Sequence, residues 1–134
     1  MKYMILVYAS QQDYDTMAGQ PAPGKPVWTP EELAKMGQFM ESFSTDLAES
    51  GELVDTRGLS APAHTRRIQL RDGAGVVTDG PYAETQEVLA GYWIVDCVSF
   101  DRATEIAARL MDIPGPVTDA YADVRPVVDS RDEL

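Results

Sequence analysis

Along this chain short runs of alternating or continuous apolar residues are separated by two stretches with a helical period. Residues 2–9 are apolar and rich in Tyr, Ile and Val, which predicts a buried first strand. From 10 to 28 periodicity is lost. Three prolines and two glycines between Ala18 and Pro26 predict an irregular loop of nearly twenty residues, long enough to be either a lid or a disordered segment. Thr29-Pro30-Glu31-Glu32 reads as a helix start. Thr29 can cap, Pro30 suits the first helical position and Glu32 completes a capping box. Leu33, Met36, Met40, Phe43 and Leu47 then recur at spacings of three and four, so an amphipathic helix should lie on a sheet. Glu49-Ser50-Gly51 closes it, with Gly51 free to adopt the left-handed cap.

Leu53–Leu59 and Arg66–Arg71 read as the next strands. In the latter, Arg67, Gln69 and Arg71 alternate with Arg66, Ile68 and Leu70, leaving one face polar throughout. Asp72-Gly73-Ala74-Gly75 turns the chain into a short strand at Val76-Val77-Thr78. Asp79-Gly80-Pro81 breaks it again, Glu84–Leu89 predicts a turn or a single helical turn, and Gly91–Val98 predicts a strand. Asp101 is expected to cap a second helix, with Ala103, Ile106, Ala107 and Leu110 as its apolar face. Val124–Val128 is the last strand, and Pro126 puts it at an edge or a bulge. Two helices on one face of a mostly antiparallel sheet make an α+β sandwich of the ferredoxin-like βαββαβ kind. It is read as a single domain over 1–128, followed by an acidic tail at 129–134.

The expected strand 91–98 places Tyr92, Ile94 and Val98 on one side and Trp93, Val95 and Cys97 on the other. Two short helices cover only one side. A sheet apolar on both sides needs a second cover, either a second copy in a two-fold dimer or the loop 10–28 folded back.

Composition narrows the function classes. The 134 residues are 44% hydrophobic and 25% charged, as in ordinary globular proteins. With 22 acids against 11 bases the formal charge is −11, so a nucleic-acid partner is not expected. No apolar run approaches the ~20 residues of a membrane span, so no membrane partner is expected either. The start of the chain offers no good small-x-small cleavage site, and a cytoplasmic location is expected. A single cysteine, Cys97, excludes an intrachain disulfide and reads as a small buried hydrophobe.

Several residues can carry chemistry. Asp79 either presents a carboxylate at a cleft or caps its own turn. Tyr82 beside Glu84 can form a proton-transfer pair, or Glu84 can cap the short turn while Glu87 is solvated. His64, the only histidine, can act as a general base if its loop folds over a cleft, or it can sit on the surface. Arg66, Arg67 and Arg71 can bind an anionic group or pair with acids such as Asp55. Tyr92 or Trp93 should face a partner or a ligand cavity. No His-x-His or Cys-x-x-Cys spacing occurs, so neither a metal nor a cofactor is expected.

The stretch Val77-Thr78-Asp79-Gly80-Pro81-Tyr82-Ala83-Glu84-Thr85-Gln86-Glu87-Val88-Leu89-Ala90-Gly91-Tyr92-Trp93-Ile94-Val95 resembles the YCII-related family, and within it the branch with an Asp-Gly-Pro-Phe motif. Tyr82 stands where that branch has Phe. The opening Met1-Lys2-Tyr3-Met4-Ile5-Leu6 and the closing Val124-Arg125-Pro126-Val127 are similar too. The resemblance implies a ferredoxin-like dimeric α+β barrel with a cleft in each protomer or at the interface. It implies no settled activity: some relatives are read as small-molecule lyases or dehalogenating enzymes, and many lie near sigma-factor genes. The broader family's proposed catalytic histidine, on the first helix with an acidic partner, has no counterpart between Thr29 and Gly51, although Glu49 stands near the acidic position. Two readings follow. One is a small-molecule binding protein or enzyme of acid–base type, with Asp79, Tyr82 and His64 catalytic and Arg66, Glu84 and Tyr92 binding the ligand. The other is a non-catalytic regulatory protein linked to transcription.

Overall fold

The computed structural model describes residues 1–80 and 82–134. The chain runs β1 (Lys2–Ala9), α1 (Gln11–Met17), α2 (Pro30–Glu49), β2 (Leu53–Gly58), β3 (Arg66–Arg71), β4 (Ala74–Asp79), β5 (Val88–Asp96), α3 (Phe100–Ala108) and β6 (Ala122–Pro126). Four strands form one antiparallel sheet in the order β2-β5-β1-β6. This mixed α+β arrangement is compatible with the ferredoxin-like fold. Among the described residues β3 and β4 pair only with each other and stand apart as a hairpin, so Arg66–Arg71 is an insertion between β2 and β5 and not a strand of the main sheet. Pro126 ends the edge strand β6, where its missing N–H costs no ladder bond.

The core lies between one sheet face and helices α2 and α3. Tyr3, Ile5, Trp93, Val95 and Cys97 meet Phe43 and Leu47 of α2 and Ala103, Ile106 and Leu110 from α3 and the turn after it. The Phe43 and Trp93 rings meet edge to face at 5.2 Å, and Trp93 Nε1 donates to Ser44 Oγ at 3.2 Å, so the buried indole leaves no polar atom unpaired. The predicted capping box of α2 is present: Thr29 accepts from the Glu32 N–H and Glu32 accepts from the Thr29 N–H. Gly51 takes its positive φ of 79°.

The loop expected over 10–28 is in part a helix. Ser10 caps α1, with Ser10 Oγ accepting from the Asp13 N–H and Asp13 accepting from the Ser10 N–H. Only Thr16 of α1 is buried, which is why no apolar period announced it. Residues 18–28 remain irregular. The second expected helix, α3, starts two residues earlier than expected, because Ser99 rather than Asp101 caps it, accepting from the Arg102 N–H at 3.0 Å. The strand expected over 91–98 begins at Val88 and ends at Asp96, which leaves Val98 outside the sheet and exposed. Gly91 is required at the β2 crossing, since a Cβ there would stand 2.9 Å from the Arg57 carbonyl. Beside it, the β1–β5 register slips between Val7 and Tyr8.

Two predictions follow from these local contacts. Ser10→Ala removes a cap of α1 and should cost about 1 kcal/mol, with amide exchange accelerating across residues 11–17 before the main sheet is affected. Arg102 grips Glu52 through two hydrogen bonds of 2.9 and 2.8 Å, and these hold the Glu52 carboxyl below its ordinary value of 4.5. The depressed value means the stabilisation is complete above pH 4.5 and disappears as pH falls through the folded-state value. Glu52→Gln should therefore lower urea stability by about 1 kcal/mol at neutral pH, and that deficit should shrink in strongly acidic buffer.

Candidate functional site

Strand periodicity builds the second sheet face. In the β1–β5 ladder Met4 stands opposite Ile94 and Leu6 opposite Tyr92, so these four side chains share the face turned away from Trp93 and Val95. All four are only partly buried, and neither α2 nor α3 reaches them. The flanking strands add charge on the same face. β2 places Asp55 opposite Ile94 and Arg57 opposite Tyr92, while β6 places Arg125 opposite Met4 and Asp123 opposite Leu6. The result is an apolar strip with a charged rim on both sides.

Tyrosines on this face are paired with carboxylates. Tyr92 donates its hydroxyl to Asp55 Oδ2 at 3.0 Å, and this bond raises the phenol's pKa above its usual value, with burial adding to it. Tyr8 stacks on Tyr121 at 5.4 Å. Partial burial raises the Tyr8 pKa, and the Asp123 carboxylate beside it adds to the effect. Tyr121 donates to Glu87, and that bond pushes its phenol up to about 12. At neutral pH these phenols stay protonated, and Tyr92 and Tyr121 direct their hydroxyls at carboxylates, a row of polar groups able to hydrogen-bond a bound molecule. The slip at Val7/Tyr8 matters here. It sets Tyr8 opposite Leu89, next to the segment that carries Glu87.

The residues singled out in the sequence are spread more widely. Asp79 and Arg66 form an ion pair at 3.5 Å at the base of the hairpin, with side chains 84% and 81% exposed. The Arg67 guanidinium lies 4.9 Å from the centre of the Tyr82 ring. His64 is exposed in a one-turn helix, Pro62–His64. Glu84 is exposed and uses its backbone carbonyl to accept from Gln12 N–H at 3.1 Å. Among the described residues no side-chain hydrogen bond or ion pair joins His64 or Glu84 to Asp79, Tyr82 or Tyr92. Pro81, and so the Asp-Gly-Pro turn as a unit, lies outside the described residues. Asp55, considered as an acid for the hairpin arginines, instead pairs with Arg57 at 2.8 Å. Residues 84–87 hold a turn with no helix, and Val88 and Leu89 already belong to β5.

Helix α1 positions two of these segments. Gln11 accepts from the Ala63 N–H at 2.8 Å, and Tyr14 donates to the Leu59 carbonyl at 2.7 Å. With the Gln12–Glu84 bond, α1 ties the His64 turn and the Glu84 turn to the end of β1. Two open depressions, of about 530 and 210 Å³, lie at the other end of the sheet around Met1. Neither is lined by the residues above. Among the described residues no three His, Cys, Asp or Glu side chains converge as metal ligands, and no helix is long and apolar enough to cross a membrane.

Residues 1–128 match the YCII-related domain family. An uncharacterised protein of Rhizobium meliloti (strain 1021) is 31% identical over 100 residues, which span 75% of this chain and 79% of that protein.

The Tyr121–Glu87 bond is directly testable. Glu87→Gln removes the charge that holds the proton, so the Tyr121 phenol should fall from about 12 toward its ordinary 10.0 in an NMR titration of the ring, compared over the range where both proteins stay folded.

Proposed function

Because the chain belongs to the YCII-related family, we propose that it works as a two-fold dimer whose facing sheets enclose a small-molecule cleft. The observation that supports this reading is the uncovered sheet face, where Met4, Leu6 and Ile94 form an apolar strip beside tyrosine–carboxylate pairs. Two such faces packed on each other would dry the strip and make an α+β barrel. Exclusion of water would strengthen the phenol–carboxylate bonds. The Asp79-Gly80-Pro81-Tyr82 sequence supports assignment to the Asp-Gly-Pro-Phe branch.

In this reading Tyr92, with Asp55 holding it, is the group that meets the ligand, and Tyr8, Tyr121, Glu87 and Asp123 extend the polar wall. A carboxylate takes a proton and a protonated phenol hydrogen-bonds developing negative charge, which suits a lyase or isomerase acting on a small molecule with an apolar part. Asp79, Arg66 and His64 join the site only if dimer formation or ligand binding brings their loops inward. A cytoplasmic location is part of the same proposal.

The experiment is the oligomeric state together with ligand response. Light scattering should give twice the 14.7 kDa chain mass. Ile94→Glu, a charge in the middle of the strip, should give a folded monomer. A thermal-shift screen of small metabolites should find a stabilising ligand whose effect is lost in Tyr92→Phe/Asp55→Asn. A wild-type monomer overturns the reading. A dimer that no metabolite stabilises would favour a non-catalytic regulatory protein instead.

A further inference from the structure

The β3–β4 hairpin takes no part in the core or in the tyrosine face. Among the described residues its strands pair only with each other, and a lone two-stranded hairpin is marginally stable in water. In its ladder Ile68 stands opposite Val77 and Leu70 opposite Gly75, so the apolar side chains share one side. That side is open to solvent: Ile68 is 72% exposed, Leu70 80% and Val77 59%. A contiguous apolar patch of this kind marks a contact surface.

Charge and area indicate what covers it. Arg66, Arg67 and Arg71 outnumber Asp72 and Asp79 in the hairpin, whereas the rest of the chain has 20 acids against eight bases. The hairpin is thus complementary to an acidic surface, and another copy of this chain provides one. The open face of the main sheet is also small for a stable contact. Four strands ~4.8 Å apart and about seven residues long give a projected footprint of roughly 450 Å². A standard interface buries ~800 Å² per partner. We propose that the hairpin is an arm that reaches across to a second copy of this chain, burying Ile68, Leu70 and Val77 against it while its arginines meet that copy's carboxylates. The proposal rests on the dimer reading above and extends it: the sheet faces provide one part of the contact and the two arms the other.

Both Ile68 and Leu70 face solvent within the protomer, so Ile68→Ser/Leu70→Ser should leave each protomer folded. Sedimentation equilibrium should then show the dimer dissociation constant raised about tenfold or more. Leu70→Cys supplies an accessible thiol for a polarity-sensitive dye, because Cys97 is buried at 7% exposure. The dye emission should shift to the blue as dilute protein is concentrated through the dimer transition. An unshifted dye and an unchanged dissociation constant in a protein that still dimerises overturn the arm and leave the sheet-face dimer intact. A dimer that survives Ile94→Glu but is lost in the hairpin double variant supports the arm and overturns the sheet-face contact. A dye that responds only to an added unrelated acidic protein overturns the assignment of the second copy as occupant, and a wild type that stays monomeric overturns both readings.

Discussion

Two helices can shelter only one side of a four-stranded sheet, and in this chain that restriction governs everything else. α2 and α3 pack on Tyr3, Ile5, Trp93 and Val95, and that single layer is the hydrophobic core. Strand alternation then forces Met4, Leu6, Tyr92 and Ile94 to the far side, whatever else the residues are used for. Burying the first set and leaving the second half-wet are the same geometric event. A polar second side would have made a self-sufficient protomer, but this chain places aliphatic side chains there and borders them with charge.

The border gives the open side its chemical character. Asp55 and Arg57 on one flank and Asp123 and Arg125 on the other come from strands that meet only through β1 and β5. Tyrosines span the boundary between strip and border, and Tyr92 and Tyr121 each direct a hydroxyl at an acid. Their raised pKa values follow from those acids, from partial burial, or from both. In the proposed dimer the same border would also set the register of the two copies, since like charges placed opposite each other would repel and opposite ones would attract.

Signals confined to a few neighbouring residues were legible in the sequence. The Thr29–Glu32 capping box, the stripe ending in Phe43 and Leu47, the Arg66–Arg71 strand and the opposed faces of Tyr92 and Trp93 all occur where they were read. α1 was missed because a helix with one buried residue has no apolar period, although Ser10 and Asp13 carry a cap signature at the right spacing. Ser99 and Asp101 are both capping types, and their order in the chain alone does not decide between them. Of the tyrosine–carboxylate row only Tyr92 stood out in the sequence, and without its partner Asp55. Tyr8 meets Tyr121 and Asp123 through the β1–β6 pairing, and Tyr121 meets Glu87 across 34 positions of sequence, so these meetings depend on tertiary contacts that no local pattern encodes. The Asp79 carboxylate was noticed for its unusual turn, but it stands in solvent beside Arg66.

Thr16 sits at the crossing point of the irregular segment. Its carbonyl accepts from both Gly19 and Trp28, so the chain leaves α1 and comes back to the same atom before α2 begins. Residues 17–27 therefore form a closed excursion with a fixed neck. The entropic cost of such an excursion grows only with the logarithm of its length. A change of length between Gly19 and Val27 would accordingly cost little closure entropy, and what it would give up are the two ties back to α1, Lys25 to Asp13 and the Gln20 N–H to the Asp15 carbonyl.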